Sequence, residues 1–308
     1  MIGVALGILA VILVGPGSIW VGRWRFLHRV PRPAVALWQA GSVAALLSVV
    51  GAGFAISLGL FRKQEPPLAE IIVYGTVLLF TVIVVVRLIW SLIIVVRTSR
   101  LRRTRHRRAI DLLDQIDRRT ALPGVPARPG LRVMSAEVPV AYCLPAVRQS
   151  RVVLSEGALQ ALATDEVAAV LAHEEAHVRA RHDLVLDTFT ALHRAFPIAV
   201  RSDVPLKEAR LLVELLADDA ARRRTGPIPL ARALVAMAAA PVPGFAMGVS
   251  YGTAVRVARL AERPRPHRLL SVGIYALALG LIALPLIIFG APTLFGWLNL
   301  TGLNLGWY

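Results

Sequence analysis

Four long apolar runs interrupt this 308-residue sequence, and one extended polar stretch separates the third run from the fourth. A helix of about 20 residues crosses a hydrocarbon core of about 30 Å, and each run reaches that length. Charged residues make up only 18% of the chain, and most of them lie in the polar stretch. The pattern predicts an α-helical integral membrane protein with four transmembrane helices around one water-exposed domain.

The predicted boundaries divide the chain into three segments. Residues 1–97 hold three transmembrane helices, residues 98–268 form the exposed domain, and residues 269–308 hold the fourth helix and a short tail. The first three spans are predicted at about 2–22, 34–61 and 68–96.

Arginine clusters follow the first and third runs and precede the fourth. Basic residues beside a span favour the cytoplasmic side of a membrane. All three clusters lie in the cytoplasm only if the N-terminus is outside. We therefore expect a multi-pass plasma-membrane protein with a cytoplasmic domain and an outer tail. The clusters are Arg23, Arg25, Arg29 and Arg32, the seven arginines between residues 97 and 108, and Arg263, Arg265 and Arg268.

The net charge of +16 comes mainly from these arginines. Their position beside apolar runs favours contact with the anionic headgroups of a lipid bilayer. No base-reading motif accompanies the charge, so we expect no direct binding of nucleic acid. Arg87 lies inside the third run. It is either a functional charge at membrane depth or, as we favour, a snorkelling residue in a helix that continues into the cytoplasm.

The pattern of the exposed domain predicts a mainly helical α+β fold. Residues 98–119 alternate basic and aliphatic positions, as in an amphipathic helix, whereas residues 131–145 and 150–155 are valine-rich and predict strands. The lone cysteine, Cys143, lies in the first of these and is interpreted as a buried structural thiol. Further helices are predicted at 156–163 after the capping residue Ser155, from residue 164 through the motif below, and at 203–226, 229–239 and 251–262.

The stretch HEEAH places His173, Glu174 and His177 on one predicted helix. Residues four apart share a helix face, so two imidazoles at this spacing can bind one zinc ion. Glu174 then faces the open coordination position and can accept a proton from water. The alternative is a charged, solvated helix face. That alternative does not explain two histidines beside an aliphatic stripe in a chain with only seven.

A catalytic zinc ion usually takes three protein ligands, so a third must come from elsewhere. Glu214 is the candidate, because it lies among leucines in the stretch ELLADDAA on the next long predicted helix. Asp218 lies one turn further along the same face and could bind the free ring nitrogen of a ligating histidine. Both residues could instead be ordinary surface acids. Asp219 points about 100° away from this face and is expected to lie outside the site.

The residue that stabilises the oxyanion is not identified by the sequence. His182, Arg222 and Arg223 are candidates. His182 is five residues after His177 and so is turned about 140° away from it on a helix, which predicts a surface histidine.

The stretches HEEAHVRARHD and ELLADDAA together resemble gluzincin membrane peptidases. The order of three spans, zinc domain and fourth span resembles the BlaR/MecR family of antirepressor metallopeptidases, most specifically over residues 136–221. The stretch RVVLS resembles the family's strand beside the cleft, which holds substrate by strand addition. By this resemblance the zinc ligands are His173, His177 and Glu214, the catalytic residue is Glu174, and Asp218 is the acid that follows one turn after the third ligand.

One departure from that family affects the expected signal. BlaR/MecR receptors carry a large extracellular penicillin-binding sensor after the fourth span, whereas only residues 291–308 follow it here, without an S-x-x-K motif. The chain therefore resembles the sensorless members, and activation by direct β-lactam acylation is not expected.

These features predict a membrane-anchored zinc endopeptidase that cleaves a cytoplasmic protein. The resemblance implies a winged-helix repressor of the BlaI type as substrate, in signal transduction. The alternatives are an HtpX-like quality-control protease and a non-enzymatic metal-binding scaffold, although a purely structural metal site needs no base at Glu174. Charged residues on both sides of the motif argue against proteolysis inside the membrane. The sequence leaves open whether the chain forms a homodimer.

Overall fold

The computed structural model describes residues 1–58, 67–116, 131–145, 150–195, 202–238, 252–262 and 266–300. It is mostly helical, with one small sheet. The helices are α1 (Ile2–Val14), α2 (Pro16–Gly22), a 3-10 helix (Arg25–Arg29), α3 (Pro31–Ser57), α4 (Leu68–Ile116), α5 (Glu156–Ala161), α6 (Thr164–Ala180), α7 (His182–Ala195), α8 (Val204–Thr225), α9 (Pro227–Ala238), α10 (Thr253–Ala261) and α11 (Arg268–Leu300). The strands are β1 (Leu131–Met134), β2 (Ala141–Leu144) and β3 (Arg151–Ser155).

The chain divides into two compact units. The first contains Met1–Leu92, Ala191–Pro205 and His267–Tyr308, and the second contains Ile93–Thr190 and Leu206–Pro266. Long apolar helices dominate the first unit, whereas the second contains the sheet and the histidine pair.

Four helical stretches in the described part of the chain are long and apolar enough to cross a membrane: Ile2–Gly22, Pro31–Ser57, Leu68–His106 and Arg268–Gly290. They agree in number and order with the apolar runs of the sequence. The first stretch is divided into α1 and α2 at Gly15, because Pro16 lacks an N–H group and suits the first turn of a new helix. For the same reason α3 begins at Pro31 rather than at residue 34.

Small residues allow the helices of the first unit to pack closely. Helix α3 packs against both α1 and α11. Gly53 of α3 meets Thr81 of α4 so closely that a Cβ atom at Gly53 would overlap the threonine side chain. Close approach at small residues is the usual way in which apolar helices associate in lipid.

Helix α4 continues without interruption for 49 residues, from Leu68 to Ile116. It therefore joins the third apolar run to the amphipathic stretch predicted after it. This continuity is what the favoured interpretation of Arg87 requires, and the Arg87 side chain is exposed.

The sheet of the second unit has the order β1-β3-β2. Strand β3 lies in the middle and pairs in parallel with β1 and antiparallel with β2. The valine-rich stretch predicted as one strand forms β1 and β2, with Pro139 in the connection. The Ser155 hydroxyl donates to the Val138 carbonyl (2.7 Å) and accepts the N–H groups of Val140 (2.8 Å) and Ala158 (3.0 Å). Ser155 thus caps α5, as its position predicts, and also fixes the connection between β1 and β2.

Helix α6 occupies the centre of the second unit. On one side, its residues Val167, Val170 and Leu171 pack with Leu154 of β3 and Met237 of α9. Another set on the same helix packs against α8, α9 and α10 in a cluster of Ala169, Ala172, Ala221, Leu230, Leu234 and Leu260. Burial of a large aliphatic side chain contributes about 1.5–3 kcal/mol, so the position of α6 is strongly determined.

Helix α10 is fixed against α8 at its first turn. Gly252 precedes it with φ 68°, and a Cβ atom there would overlap Leu211 of α8. Glycine accepts positive φ without steric cost, so the turn can bring α10 close to α8.

Candidate metal centre

His173 and His177 lie one turn apart on α6 and direct their Nε2 atoms to the same point. The two Nε2 atoms are 3.1 Å apart. Glu214 reaches this point from α8, with Oε2 3.4 Å from His173 Nε2 and Oε1 3.4 Å from His177 Nε2. One donor atom from each of the three residues lies within 4.8 Å of the other two. The structure thus brings together the three residues that the sequence predicts as metal ligands.

The Glu214 carboxylate is buried and incompletely hydrogen-bonded, as expected of a residue that binds a metal ion. Glu214 is 8% exposed, and its Oε2 atom has no well-aligned hydrogen bond, although Arg256 Nη1 lies 2.9 Å away. A buried carboxylate oxygen without a full set of partners is costly unless another cation binds it. Two imidazoles and one carboxylate also form a donor set that suits a divalent metal ion. The residues therefore fit a metal ion at this point.

Each of the two histidines has a partner at its other ring nitrogen. Asp218 Oδ1 lies 3.0 Å from His173 Nδ1, an ionic contact without ideal hydrogen-bond alignment. His182 Nδ1 lies 3.0 Å from His177 Nδ1. If Nε2 binds a metal, the proton is on Nδ1, so His173 donates toward Asp218 and His177 donates to His182. The structure places Asp218 where the sequence predicts it, and the effect of Asp218 on metal affinity stays a prediction.

The predicted surface position of His182 is wrong. His182 is only 5% exposed and packs against His177. The estimate of about 140° assumes one continuous helix. Helix α6 instead ends at Arg181, which adopts the left-handed conformation (φ 53°, ψ 43°), and α7 begins at His182. This change of direction turns His182 back toward the site.

Arg256 of α10 belongs to the site and was missed by the sequence analysis. Its side chain is 1% exposed, with Nε 2.8 Å from Asp218 Oδ2 and Nη2 2.7 Å from Asp218 Oδ1. The same guanidinium contacts Glu214 through Nη1. One signal could have identified it: Arg256 and Leu260 share a face of a short amphipathic helix, so the arginine lies on the side that faces the core.

The two arginines predicted as oxyanion candidates have other positions. Arg222 donates to the Glu262 carbonyl (2.7 Å) and so joins the end of α8 to the end of α10. Arg223 is exposed. Asp219 forms a two-point ion pair with Arg259 (2.6 and 2.9 Å), away from the histidines as predicted.

Burial and charge separate the protonation states of the three histidines. Burial lowers the pKa of His177 to about 3 and that of His182 to about 4. Burial also opposes protonation of His173, but its contacts with the Asp218 and Glu214 carboxylates outweigh burial and raise the pKa of His173 to about 9. At neutral pH and without metal, His173 is therefore the charged histidine of the cluster.

Burial and nearby charges also shift the pKa values of the acidic side chains in opposite directions. Burial raises the pKa of Glu174. Burial acts in the same direction on Asp218, but the hydrogen bonds from Arg256 and the ionic contact with His173 outweigh burial and hold the pKa of Asp218 well below its usual range. Glu214 likewise has a lowered pKa, since its contacts with His173, His177 and Arg256 outweigh burial. Glu174 is thus the carboxylate of the site that holds a proton most readily.

One comparison with known proteins bears on this site. Residues 106–250 match the model of peptidase family M48. No curated protein and no solved structure matches the chain. The match supports an M48 family metallopeptidase. Together with the four apolar helices, it fits a membrane-anchored metalloprotease. The matched segment contains both histidines, Glu174, Glu214 and Asp218, whereas Arg256 lies beyond its end.

The expectation that the RVVLS stretch holds substrate by strand addition is wrong. This stretch forms β3, the middle strand, whose two edges pair with β1 and β2. A further strand cannot add to it, because both rows of its backbone groups are engaged. The strand nearest the motif is β2, which packs against α6.

Cys143 lies on β2, and its thiol hydrogen-bonds to the Glu174 carboxylate. Burial raises the pKa of the Cys143 thiol well above its usual value, and the nearby Glu174 carboxylate adds to the shift. The predicted structural thiol therefore lies at the site, as a protonated group beside the motif glutamate.

Proposed function

We propose that this chain is a membrane-anchored, zinc-dependent endopeptidase that cleaves a cytoplasmic protein. The observation that carries the proposal is the buried convergence of His173, His177 and Glu214 next to Glu174. A purely structural metal site gains nothing from a buried carboxylate beside it, whereas hydrolysis needs one to move protons.

Zinc is the metal that suits this donor set best. Two histidines and one glutamate leave a fourth position open in a tetrahedral site. When bound, zinc would supply Lewis acidity, which polarises a substrate carbonyl and makes water more acidic. His173, His177 and Glu214 would hold the ion, while Asp218 and His182 orient the two imidazole rings.

Glu174 is proposed as the residue that moves the proton. Its carboxylate accepts a proton from the attacking water and then delivers it to the nitrogen of the departing chain. Burial favours this role because it raises the pKa of Glu174 toward the working pH, where proton transfer in both directions is efficient.

The outer edge of β2 is the proposed docking edge for the substrate. In the described part of the chain, β2 pairs with β3 through one edge only. An extended substrate segment could hydrogen-bond to the other edge, next to the Cys143 and Glu174 pair. Such docking uses hydrogen bonds to the backbone of the substrate. It therefore favours an extended or loosely folded segment as substrate.

The proposed substrate is a winged-helix repressor of the BlaI type, and the proposed role is signal transduction. This part rests on the resemblance to BlaR/MecR peptidases in span order and motifs. The membrane placement proposed with it has the N-terminus outside and residues 98–268 in the cytoplasm, as the arginine clusters favour.

A comparison of cells that express the full chain or its Glu174→Gln variant tests the proposed function. Protein N-termini would be catalogued in both, with a candidate repressor co-expressed. We expect a fragment of one cytoplasmic regulator that is absent with the variant. Fragments of many damaged membrane proteins would instead support the quality-control alternative. No difference between the two strains would contradict a protease and favour the scaffold.

A further inference from the structure

Helix α4 contacts α7 through a compact charged cluster in the second unit. Arg103 Nη1 lies 2.7 Å from Asp183 Oδ2, and Arg103 Nη2 lies 3.1 Å from Asp187 Oδ2. Ser99, one turn earlier on α4, donates its hydroxyl to Asp187 Oδ1 (2.9 Å). One guanidinium thus bridges two carboxylates that are one turn apart on α7.

This cluster is well shielded from water. The side chains of Arg103, Asp183 and Asp187 are 25%, 7% and 13% exposed. Without the arginine, two like charges would face each other across one turn of α7, which destabilises a helix. The bridge therefore stabilises the first turn of α7 and is not an ordinary exposed ion pair.

The first turn of α7 also carries a partner of the metal centre. His182 immediately precedes Asp183, and its Nδ1 atom lies 3.0 Å from His177 Nδ1. The residue before it, Arg181, is a single left-handed residue between α6 and α7. Arg181 sets the change of direction between the helices, and the contacts of the first turn of α7 add to it in holding His182 in place.

A second contact from the same face of α4 reaches the other side of the site. His106 lies three and seven residues after the cluster positions 103 and 99, and its Nε2 atom is 2.8 Å from the Tyr142 hydroxyl. Tyr142 precedes Cys143 on β2, and the Cys143 thiol contacts Glu174. Helix α4 therefore contacts both elements that flank the histidine pair.

We propose that Arg103 is a positioning residue of the metal centre: it holds the first turn of α7 so that His182 keeps the ring of His177 in the orientation that binds metal. The inference rests on the proposed metallopeptidase function.

The test compares Arg103→Ala, Arg103→Lys and the matched control Arg102→Ala in the detergent-purified full chain. Arg102 is exposed on the same helix, so its variant removes the same charge without the bridge. Zinc affinity is measured by competition with a chelator. Then kcat and KM for fluorescently labelled casein are measured at saturating zinc, with thermal midpoints as a check on folding.

We expect Arg103→Ala to weaken zinc binding by up to about 10-fold, the lower end of the effect of losing a residue that itself binds a metal-ligating histidine. At saturating zinc, kcat should fall while KM stays within about twofold, because the bridge does not touch substrate. Arg103→Lys should recover part of the affinity, since an ammonium group can hold one of the two carboxylates. Arg102→Ala should match the wild type.

Two outcomes overturn the inference. One is an Arg103→Ala chain with the zinc affinity and kcat of the Arg102→Ala control. The other is a lowered thermal midpoint with unchanged zinc affinity, which would make the bridge structural only. If Arg103→Ala does not fold, the isosteric Asp187→Asn variant decides, and unchanged zinc affinity there contradicts the proposal. A wild type that binds zinc but cleaves no protein would instead contradict the proposed function, while the affinity comparison would still decide on Arg103.

Discussion

At the scale of single residues, the main feature of the site is a group of buried charged side chains that contact one another. Glu214 and Asp218 both contact the Arg256 guanidinium, which is almost fully buried. A buried ion pair gains little over an apolar pair, but removing one partner leaves an uncompensated charge and costs about 3–5 kcal/mol. Arg256 therefore keeps two carboxylates ionised and in place around the histidines.

Replacement of Arg256 by alanine should lower the free energy of unfolding by about 3–5 kcal/mol without metal. The loss should be smaller with zinc, because the ion then compensates the Glu214 charge. Thermal unfolding with and without zinc measures both effects. Arg259→Ala is the control, since its ion pair with Asp219 is partly exposed and worth about 0.2–1 kcal/mol. Equal losses for the two variants would contradict the assignment.

The pKa of His173 predicts that metal binding is linked to proton release. Its pKa of about 9 in the metal-free chain means that His173 is protonated at pH 7, whereas a metal ligand must be neutral. His177 and His182 have lowered pKa values and are already neutral. About one proton should therefore leave for each metal ion bound. Affinity should rise about tenfold per pH unit up to about pH 9 and then level off.

Calorimetric titration in two buffers with different ionisation enthalpies measures this proton release directly. A binding enthalpy that is the same in both buffers at pH 7 would show that no proton leaves. The raised pKa of His173 would then be wrong.

Spacing along the sequence was enough to predict the site residues that lie on one helix. It was not enough to predict the site residues that come together only when separate helices pack. His173, Glu174 and His177 depend only on the helical repeat. The placement of Glu214 beside them needed a second inference, from its position among leucines, and the structure brings it to the histidines. Arg256 could not be placed without knowing that α10 packs on α9 and directs its arginines to α8.

At the scale of elements, the junction between α6 and α7 shapes one side of the site. The pattern of apolar positions predicts α8 within one residue of its observed bounds, because Pro205 and Gly226 mark its ends. No such marker stands between α6 and α7. Arginine rarely adopts positive φ, so the sequence gives no reason to end the helix at residue 181.

The left-handed conformation of Arg181 predicts a contrast between two substitutions. Valine is β-branched and disfavours positive φ, so Arg181→Val should lower stability by about 1–2 kcal/mol and weaken zinc binding through displacement of His182. Asparagine tolerates this conformation, so Arg181→Asn should stay close to the wild type. Thermal unfolding and chelator competition measure the two effects. Equal behaviour of the two variants would show that the backbone at this junction does not matter.

At the scale of the whole molecule, apolar runs were the easiest feature to predict. Length and hydropathy alone predict four candidate spans, and the structure has four in the same order among its described residues. The orientation of the chain in the membrane is predicted from the arginine clusters and not from the fold.

Reporter fusions can test the proposed orientation. A reporter inserted at residue 130 should report the cytoplasm, and a reporter fused after Tyr308 should report the outside, because one span lies between them. An alkaline phosphatase and a fluorescent protein at each position give opposite readings on the two sides. The same side for both fusions would contradict the proposed orientation.

Glu174 is proposed to carry the proton when this metal centre hydrolyses a peptide bond. The rate of casein cleavage by Glu174→Gln and by wild type, prepared with equal zinc content, tests this role. We expect about one zinc ion per chain in both, because Glu174 is not a ligand, and a fall in kcat of about 10²–10⁴-fold in the variant. A zinc-loaded Glu174→Gln chain that cleaves at the wild-type rate would contradict this role.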